Sequence, residues 1–378
     1  MMQMPGAEQR MVLDPIERFC REVLAPKAAE IDRTGISATC HLAGLSQLGL
    51  MGLNLPEEHG GIGLPATVLF EAVVLMAAAC GSTASMVTAH WLATDSVLIG
   101  GDDAIRARIL PDAAAGIKLG AFALTEPGAG SNPVEMTTVA TREGDQYRLR
   151  GTKHFISNAG EAAFVVVYAK TDKAAGARGI SAFLVDPKHD GVRIGAPERT
   201  MGLRGGHIHE IAFDCKVPAT DRLGPEGSGF RTALKVLDAG RVEIAACSVG
   251  IAEAALAAAV DWSHQRKVGG GPIADLQGLR WMLADMATDI AAARALGLAA
   301  AGQRERGEPF SGNASMAKLF ASEMVDRVTD QALQIHGGYG YTAGLPLERY
   351  VRDCRIFRIF EGSSEVQRNI IARALLGS

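Results

Sequence analysis

The stretch Ala162-Ala-Phe-Val-Val-Val-Tyr168 is where the chain changes from helix-like to strand-like sequence. Its valines and aromatic residues are typical of a β-strand. Three further short runs of this kind follow, at Ile180–Val185, Val192–Ile194 and Glu210–Phe213, and clusters of Gly, Pro and Asp separate them. The sequence therefore predicts a small β-domain over residues 117–224.

Apolar residues recur at helical spacing on both sides of this β-domain. Residues 1–116 are predicted to form a helical domain, in which Val68–Ile99 is mostly apolar, as in an interior helix pair. Residues 225–378 carry long helical patterns with Ala-rich faces suited to close packing. We therefore predict an α+β fold, mainly α. The strands and helices do not alternate along the chain, which counts against a doubly wound sheet.

The composition is typical of a globular protein with a large core. The chain has 378 residues, of which 48% are hydrophobic and 21% charged, and a net charge of −4. This balance gives no basic surface for nucleic acid or an anionic membrane. The six cysteines include no C-x-x-C pair, and the N-terminal residues lack a signal or transit pattern. We predict a cytoplasmic protein with reduced thiols and without a membrane or nucleic-acid partner.

Two polar, glycine-containing stretches are candidate binding loops. Ala123-Leu-Thr-Glu-Pro-Gly-Ala-Gly-Ser-Asn132 follows a strand end, and such loops expose backbone N–H groups to an anion or a ring edge. In Gly151-Thr-Lys-His-Phe-Ile-Ser-Asn-Ala-Gly160, the pattern puts Phe155 and Ser157 on one side of a strand, where they could hold a planar heterocycle. An ordinary loop and a core phenylalanine beside a surface serine are the alternatives.

Three further motifs carry polar or glycine residues on the helical and strand segments. Asp238-Ala-Gly-Arg241, with Arg266, suggests anion recognition, a surface salt bridge being the alternative. Gln334–Tyr341 ends a helix in glycines, where backbone can approach a phosphate. The overlapping stretch Gly338–Ala343 formally fits the dinucleotide pattern, but it follows a helix and not a strand, so it is not a dinucleotide fingerprint. His207-Ile-His209 has no neighbouring Cys or carboxylate cluster in the sequence, so we predict a solvated pair and no metal site.

The stretch Arg358-Ile-Phe-Glu-Gly-Ser-Ser-Glu365 places a carboxylate on a corner between two helices. The apolar residues before Glu361 are predicted to be a buried helix end, closed by Gly362 in the left-handed conformation. Ser364 is predicted to start the next helix, with Gln367 in capping-box spacing. A charge beside apolar side chains at such a corner has no evident structural purpose.

Together these stretches resemble the acyl-CoA dehydrogenase family from about Asp14 to the C-terminus. The resemblance is carried, in this order, by ALTEPGAGSN, GTKHFISNAG, MGLRGG with VPATDRLGPEGSGF, LDAGR, GPIADLQ with LADMA, QIHGGYGY and RYVRDCRIFRIFEGSSEVQR. It implies an N-terminal helical domain, a middle β-domain and a C-terminal four-helix bundle. It also implies FAD as cofactor and a homotetramer in which a neighbouring subunit completes each flavin site.

The resemblance implies that this chain oxidises an acyl-CoA thioester to the trans-2-enoyl form, as in fatty-acid β-oxidation, and passes electrons to an electron-transfer flavoprotein. Glu361 matches the catalytic base, which removes the α-proton while hydride leaves for flavin N5. Some relatives carry the base directly before Arg241, where this chain has Gly240. The residues implied to contact substrate are Ser131, Asp238, Arg241 and Gly362. Those implied to bind FAD are Leu124, Thr125, Ser131, Phe155, Ser157, Arg266, Gln277, Gln334, Gly337, Gly338, Ser363 and Glu365.

The chain departs from the family pattern at several positions. Gly269 replaces a phenylalanine that packs on the adenine end of FAD, Asn132 replaces an aspartate, and Gly206 and Ile208 replace small hydroxyl residues. The pattern is most similar to the short-chain and branched short-chain members. Two alternatives remain open: a flavin oxidase or monooxygenase on the same fold, and a non-catalytic scaffold that has lost flavin.

Overall fold

The computed structural model describes residues 7–377; residues 1–6, part of the stretch that lacks a leader pattern, lie outside it. The helices are α1 (Ala7–Phe19), α2 (Ala25–Thr34), α3 (Leu42–Gln47), α4 (Ala66–Ala79), α5 (Gly81–Gly100), α6 (Asp103–Ala114), α7 (Gly229–Gln265), α8 (Gln277–Glu305), α9 (Ser311–His336), α10 (Gly338–Tyr341), α11 (Leu347–Cys354) and α12 (Ser364–Leu376). The strands are β1 (Gly120–Ala123), β2 (Val139–Glu143), β3 (Gln146–Ser157), β4 (Phe164–Lys170), β5 (Ile180–Val185), β6 (Val192–Ile194), β7 (Ile208–Pro218), β8 (Arg222–Leu223), β9 (Lys267–Val268) and β10 (Gly271–Pro272).

The predicted order of helices, strands and helices is confirmed. Strands β5 and β6 have the predicted bounds, and the strand segments predicted before Leu124 and at Phe155 and Ser157 are the ends of β1 and β3. Strand β2 and the first part of β3 were not predicted. In β3, buried and more exposed residues largely alternate, because the strand is covered on one face only. Its sequence therefore has no continuous apolar run that would indicate a strand. The domain boundaries at residues 116 and 224 stay a prediction. All six cysteines are free, as predicted.

The β-domain is one eight-stranded sheet with the order β6-β7-β3-β2-β4-β5-β8, and β1 pairs with β4 in parallel. Both faces of β4 are buried from Phe164 to Ala169, which explains its unbroken apolar sequence. Strand β3 pairs with β7 along its length, with a register shift between Lys153 and Ile156. Such bulges bend a strand and redirect its side chains.

The second helical region packs tightly on the first. A methyl group added at Gly250 of α7 would lie 2.3 Å from the Val74 carbonyl oxygen of α4, so the two helices touch through backbone. By length and composition α7 could cross a membrane, but 72% of its most apolar window is buried inside the chain. This burial identifies α7 as the core helix of the bundle.

A buried ion pair joins the first candidate loop to β3. The Lys153 ammonium donates to the Glu126 carboxylate at 2.8 Å and to the Leu124 carbonyl at 2.9 Å. Both side chains are almost completely buried. Backbone N–H groups of Thr137 and Thr138 donate to the same carboxylate. The ion pair and these hydrogen bonds thus connect the two ends of the loop, at residues 124 and 138, and attach the loop to β3.

Because Glu126 is buried, we predict that Lys153→Met lowers the free energy of unfolding by about 3–5 kcal/mol, the usual cost of leaving a buried charge unpaired. Urea denaturation followed by circular dichroism measures this loss. Arg150→Met is the control, since Arg150 pairs with Asp214 on the surface and should cost less than about 1 kcal/mol. Equal losses in the two variants would contradict the role given to the buried pair.

Candidate active site

The corner that carries Glu361 is built from two consecutive left-handed residues. Glu361 has φ of 51° and Gly362 has φ of 90°. The predicted capping box is wrong: Ser363 is the N-cap of α12, and Gln367 donates to the carbonyls of Glu361 at 3.2 Å and Gly362 at 2.9 Å. The reason is that the left-handed turn leaves these carbonyl groups without helical partners, and the buried amide supplies them with donors.

The apolar helix end before this corner is only partly as predicted. The residues from Arg355 to Arg358 form a 3-10 turn, in which Phe357 is buried. Ile359 is 54% exposed, so its predicted burial is wrong. The left-handed Glu361, three residues after Arg358, changes the direction of the chain before a full buried face can form.

The Glu361 side chain turns inward onto the backbone of α7. Its Oε2 atom is buried and accepts no hydrogen bond within the described residues. A methyl group added at Gly240 would lie 2.2 Å from Oε2 and 2.8 Å from the Leu92 side chain. Because Gly240 has no side chain, it leaves the space that the Glu361 carboxylate occupies. A side chain at position 240 is incompatible with this position of Glu361.

Burial sets the protonation of this carboxyl. Loss of hydration raises the pKa of Glu361 to about 7, and the nearby cations of Lys318 and Arg241 offset part of that rise. Lys318 is buried and donates to the Gly362 carbonyl at 2.6 Å. The sequence analysis missed Lys318. Its signal is a lysine between Ala314 and Ala321, on the apolar face of α9.

Asp238 and Arg241, the two residues of α7 that were predicted to contact CoA, differ in burial. Arg241 is buried, whereas Asp238 is accessible. Arg241 is 3% exposed and pairs with Asp238, which also accepts from the Ser311 hydroxyl at 2.9 Å. Asp238 lines a cavity of about 730 Å³ together with Lys235 and Arg304. Arg241 does not line this cavity and faces the interior near Glu361.

The bulge in β3 brings the two candidate loops together. The His154 N–H donates to the Thr125 carbonyl at 2.9 Å. Phe155 follows with φ of 58°, is 57% exposed and stacks on the His154 ring. Asn158 also has positive φ and anchors the strand end to the Met86 carbonyl. The hydroxyls of Thr125 and Ser157 have no hydrogen-bond partner in the part of the chain that the structure describes, so both can accept or donate to a ligand.

Three of the four described non-glycine residues with positive φ are Phe155, Asn158 and Glu361. Such backbone strain persists only where the surroundings enforce it, and it concentrates at binding and catalytic sites.

Leu124 is buried and Ser131 is exposed in the loop that leads to the bulge in β3. Residues Ser363 and Glu365, predicted to touch the dinucleotide, lie at the start of α12 directly beside Glu361.

A second cavity, of about 530 Å³, lies at the far end of α9. Its lining includes Arg266, Gly337 and Gly338, together with the rings of Trp262 and Tyr339, whose centroids are 5.2 Å apart. These rings provide aromatic surface in a cavity whose lining also includes Val268, the residue before Gly269. Sequence analysis missed both rings. Tyr339 belongs to the quoted glycine cluster, which was its only signal.

The structure does not bring this second cavity together with Glu361 within one chain. Lys318, which contacts Gly362, and Gln334 are sixteen residues apart on α9, or about 24 Å at 1.5 Å per residue. Gln334 and Gln277 are both exposed. Within one chain these residues therefore lie far from Glu361.

The prediction of a solvated pair at His207 and His209 is wrong for His209, which is 5% exposed. A carboxylate also lies nearby: Glu161 Oε1 is 3.2 Å from His207 Nδ1. The turn after β3 places this glutamate beside the start of β7, a proximity that a separation of 46 positions in the sequence conceals.

Known families match nearly the whole chain. The N-terminal domain of acyl-CoA dehydrogenases matches residues 6–117, the middle domain residues 121–215 and the C-terminal domain residues 227–376. An acryloyl-CoA reductase (NADH) of Anaerotignum propionicum is 41% identical over 372 residues, which are 98% of this chain and 94% of that protein.

Solved structures agree with this assignment. Butyryl-CoA dehydrogenase of Megasphaera elsdenii superposes with a TM-score of 0.96 at 39% identity, covering 100% of both chains. A chain from work on the electron transferring flavoprotein of Acidaminococcus fermentans superposes with a TM-score of 0.97 at 40% identity, again covering 100% of both chains. This protein therefore belongs to the acyl-CoA dehydrogenase family.

Proposed function

We propose that this protein is an FAD-dependent acyl-CoA dehydrogenase with Glu361 as its catalytic base. The observation that carries the proposal is the buried, unpartnered Oε2 of Glu361, for which Gly240 leaves room. A carboxylate without a hydrogen-bond donor is costly in a folded protein and is maintained where it has to accept a proton. Its pKa of about 7 suits proton transfer at neutral pH.

The side chain and the backbone of Glu361 and the neighbouring Gly362 have different roles in the reaction. Glu361 accepts the α-proton of the acyl thioester, while bound FAD supplies the acceptor for the hydride from the β-carbon. The N–H of Glu361 has no backbone partner in the part of the chain that the structure describes. We infer that it donates to the thioester oxygen as negative charge develops there. Gly362, without a side chain, leaves room for the thioester beside this N–H.

The residues beside β3 fit a flavin ring. The free hydroxyls of Thr125 and Ser157 can hydrogen-bond to its polar edge, and the exposed ring of Phe155 offers it an apolar face. Arg266, Gly337 and Gly338 would hold the adenosine and pyrophosphate of a cofactor bound to a neighbouring subunit. Gln277, Gln334, Ser131, Leu124, Ser363 and Glu365 complete the proposed cofactor set.

We propose a short acyl-CoA as substrate, an electron-transfer flavoprotein as acceptor, a homotetramer as the assembly and the cytoplasm as the location. The names of the similar acryloyl-CoA and butyryl-CoA enzymes support the short acyl group, and the Acidaminococcus structure supports the acceptor. Asp238, on its cavity, and Ser131 are proposed to contact CoA, and the buried Arg241 is proposed to hold Asp238 in place. These relatives do not favour an oxygen-using flavoenzyme or a flavin-free scaffold.

Replacing the base tests the proposal. In Glu361→Gln the amide cannot accept the α-proton, so we expect flavin to stay bound and turnover to fall about 10²–10⁴-fold or more. The measurement is anaerobic addition of butyryl-CoA, which should bleach the visible flavin band of the wild type but not of the variant. The control is Glu323→Gln, whose surface partner is Arg368, and it should bleach normally. A colourless wild type would contradict the cofactor, and bleaching in Glu361→Gln would contradict the base.

The pH dependence of kcat/KM should report the ionisation of the Glu361 carboxyl group. Glu361 accepts a proton only when ionised, so kcat/KM should rise as pH increases through about 7 and then level off. Lys318→Met removes a cation that lowers the pKa of Glu361, so the midpoint should move to higher pH. Stopped-flow flavin reduction over pH 5–9 measures both. An unmoved midpoint in Lys318→Met would argue against the proposed electrostatic link.

The space at Gly240 gives a separate prediction. The added methyl group of Gly240→Ala has to displace the Glu361 carboxylate, and a displacement of about 1 Å costs on the order of 100-fold in rate. Steady-state kinetics should show this loss, with flavin content unchanged. Gly312→Ala is the matched control, because the nearest atom to its new methyl group is 4.0 Å away. Wild-type rates in Gly240→Ala would show that the carboxylate does not need this space.

A further inference from the structure

Three potential metal ligands converge beside the strand that carries Ser157. They are Glu161, in the turn after β3, and His207 and His209, at the start of β7. One ligand atom from each lies within 4.8 Å of the other two. None of the three belongs to the acyl-CoA site described above.

The hydrogen bonds of the two histidines fix which ring nitrogens carry hydrogen. His209 Nδ1 lies 2.9 Å from the Gly195 carbonyl and His207 Nε2 lies 2.8 Å from the Gly35 carbonyl. A carbonyl oxygen only accepts, so both of these nitrogens are donors. In the neutral rings, the lone pairs therefore sit on His209 Nε2 and His207 Nδ1, the two atoms that face the cluster.

These lone pairs leave the cluster without a positive group. His207 Nδ1 is 3.2 Å from a Glu161 carboxylate oxygen, so two acceptors face each other. His209 Nε2 is buried and has no hydrogen-bond partner within the described residues, on a side chain that is 5% exposed. A proton on His207 would satisfy Glu161 but would leave His209 Nε2 unpaired, because both nitrogens of His207 would then be in use. One cation between the three satisfies all of them.

The surroundings resemble the outer shell of a metal site. In such sites each ligating imidazole donates its other N–H to a carbonyl or carboxylate, as the bonds to Gly35 and Gly195 do here. Tetrahedral zinc bonds of about 2.0–2.1 Å separate neighbouring ligand atoms by about 3.4 Å, which the His207–Glu161 pair already approaches. Gly160 leaves the space open, since a methyl group there would lie 2.7 Å from His209 Nε2.

We propose that Glu161, His207 and His209 form a Zn²⁺ site with one open position for water. Two imidazoles and one carboxylate favour zinc or a neighbouring transition metal over Mg²⁺ or Ca²⁺, which prefer oxygen ligands throughout. Through His207 and the Gly35 carbonyl, the ion links the end of α2 to the β-domain. The His207 carbonyl also accepts from the Asn158 N–H at 3.1 Å, so the ion braces the strand end that carries Ser157.

Zinc binding to the full-length, tag-free protein tests the site. After removal of metals with a chelator, the wild type should bind one Zn²⁺ per chain in competition with a chromophoric chelator, and millimolar Mg²⁺ should not compete. His207→Gln and His209→Asn keep the donors to Gly35 and Gly195 but remove the ligand atoms. Loss of an outer-shell partner weakens metal binding about 10–100-fold, so loss of a ligand should weaken it by at least about 100-fold.

Two further variants keep the test independent of the buried histidine. Glu161→Gln removes the charge of an exposed side chain, and Gly160→Ala fills the space; each should abolish stoichiometric binding while circular dichroism stays unchanged. The control is His59→Gln, a histidine beside Glu58 without a second imidazole, which should bind zinc like the wild type. A wild type that binds no zinc, or variants that bind it equally well, would overturn the proposal. Neither result depends on flavin content or activity.

Discussion

The ion pair between Lys153 and Glu126 is the constraint on which the geometry beside β3 depends. Burial alone would raise the pKa of Glu126, but the charge of Lys153 and hydrogen bonds from Lys153, Thr138 and Thr137 outweigh it and lower the pKa to about 2. The carboxylate is therefore ionised at any physiological pH and accepts hydrogen bonds from these groups. Lys153 directly precedes the bulge. The ion pair therefore fixes the point in β3 after which the exposed Phe155 follows.

The carboxyl of Glu361, whose Oε2 atom is buried, is the opposite case. It has no donor to its Oε2, and its cations are close enough to lower its pKa only in part, so the pKa stays near 7. Lys318 holds the carbonyl beside this carboxyl and leaves the carboxylate itself unbonded. One protein thus contains a glutamate that is always charged and structural, and one that exchanges a proton near neutral pH. Environment alone separates the two roles.

The sequence predicted the long elements well because their apolar pattern is strong. Helices α7 and α9 have long apolar faces, and strand β5 is buried along its whole length. The failures share one cause, which is that they depend on side-chain contacts that a local sequence pattern does not specify. Gln367 fits a capping box locally, but the carbonyls of a left-handed corner compete for its amide. Lys318 has a visible local signal, yet its role depends on Gly362, 44 residues away.

The antiparallel register of β3 and β7 shows how one such contact positions two sites. Ser157 pairs with Ile208 and Ile156 pairs with His209, so the residues after the end of β3 must turn beside the start of β7. The same pairing that fixes the hydroxyl of Ser157 therefore brings Glu161 to the two histidines. A spacing search along the chain cannot detect this cluster, since only the sheet register makes its members neighbours. A cation held there would stabilise that register at the end nearest the proposed flavin, where the strand has just passed through a bulge.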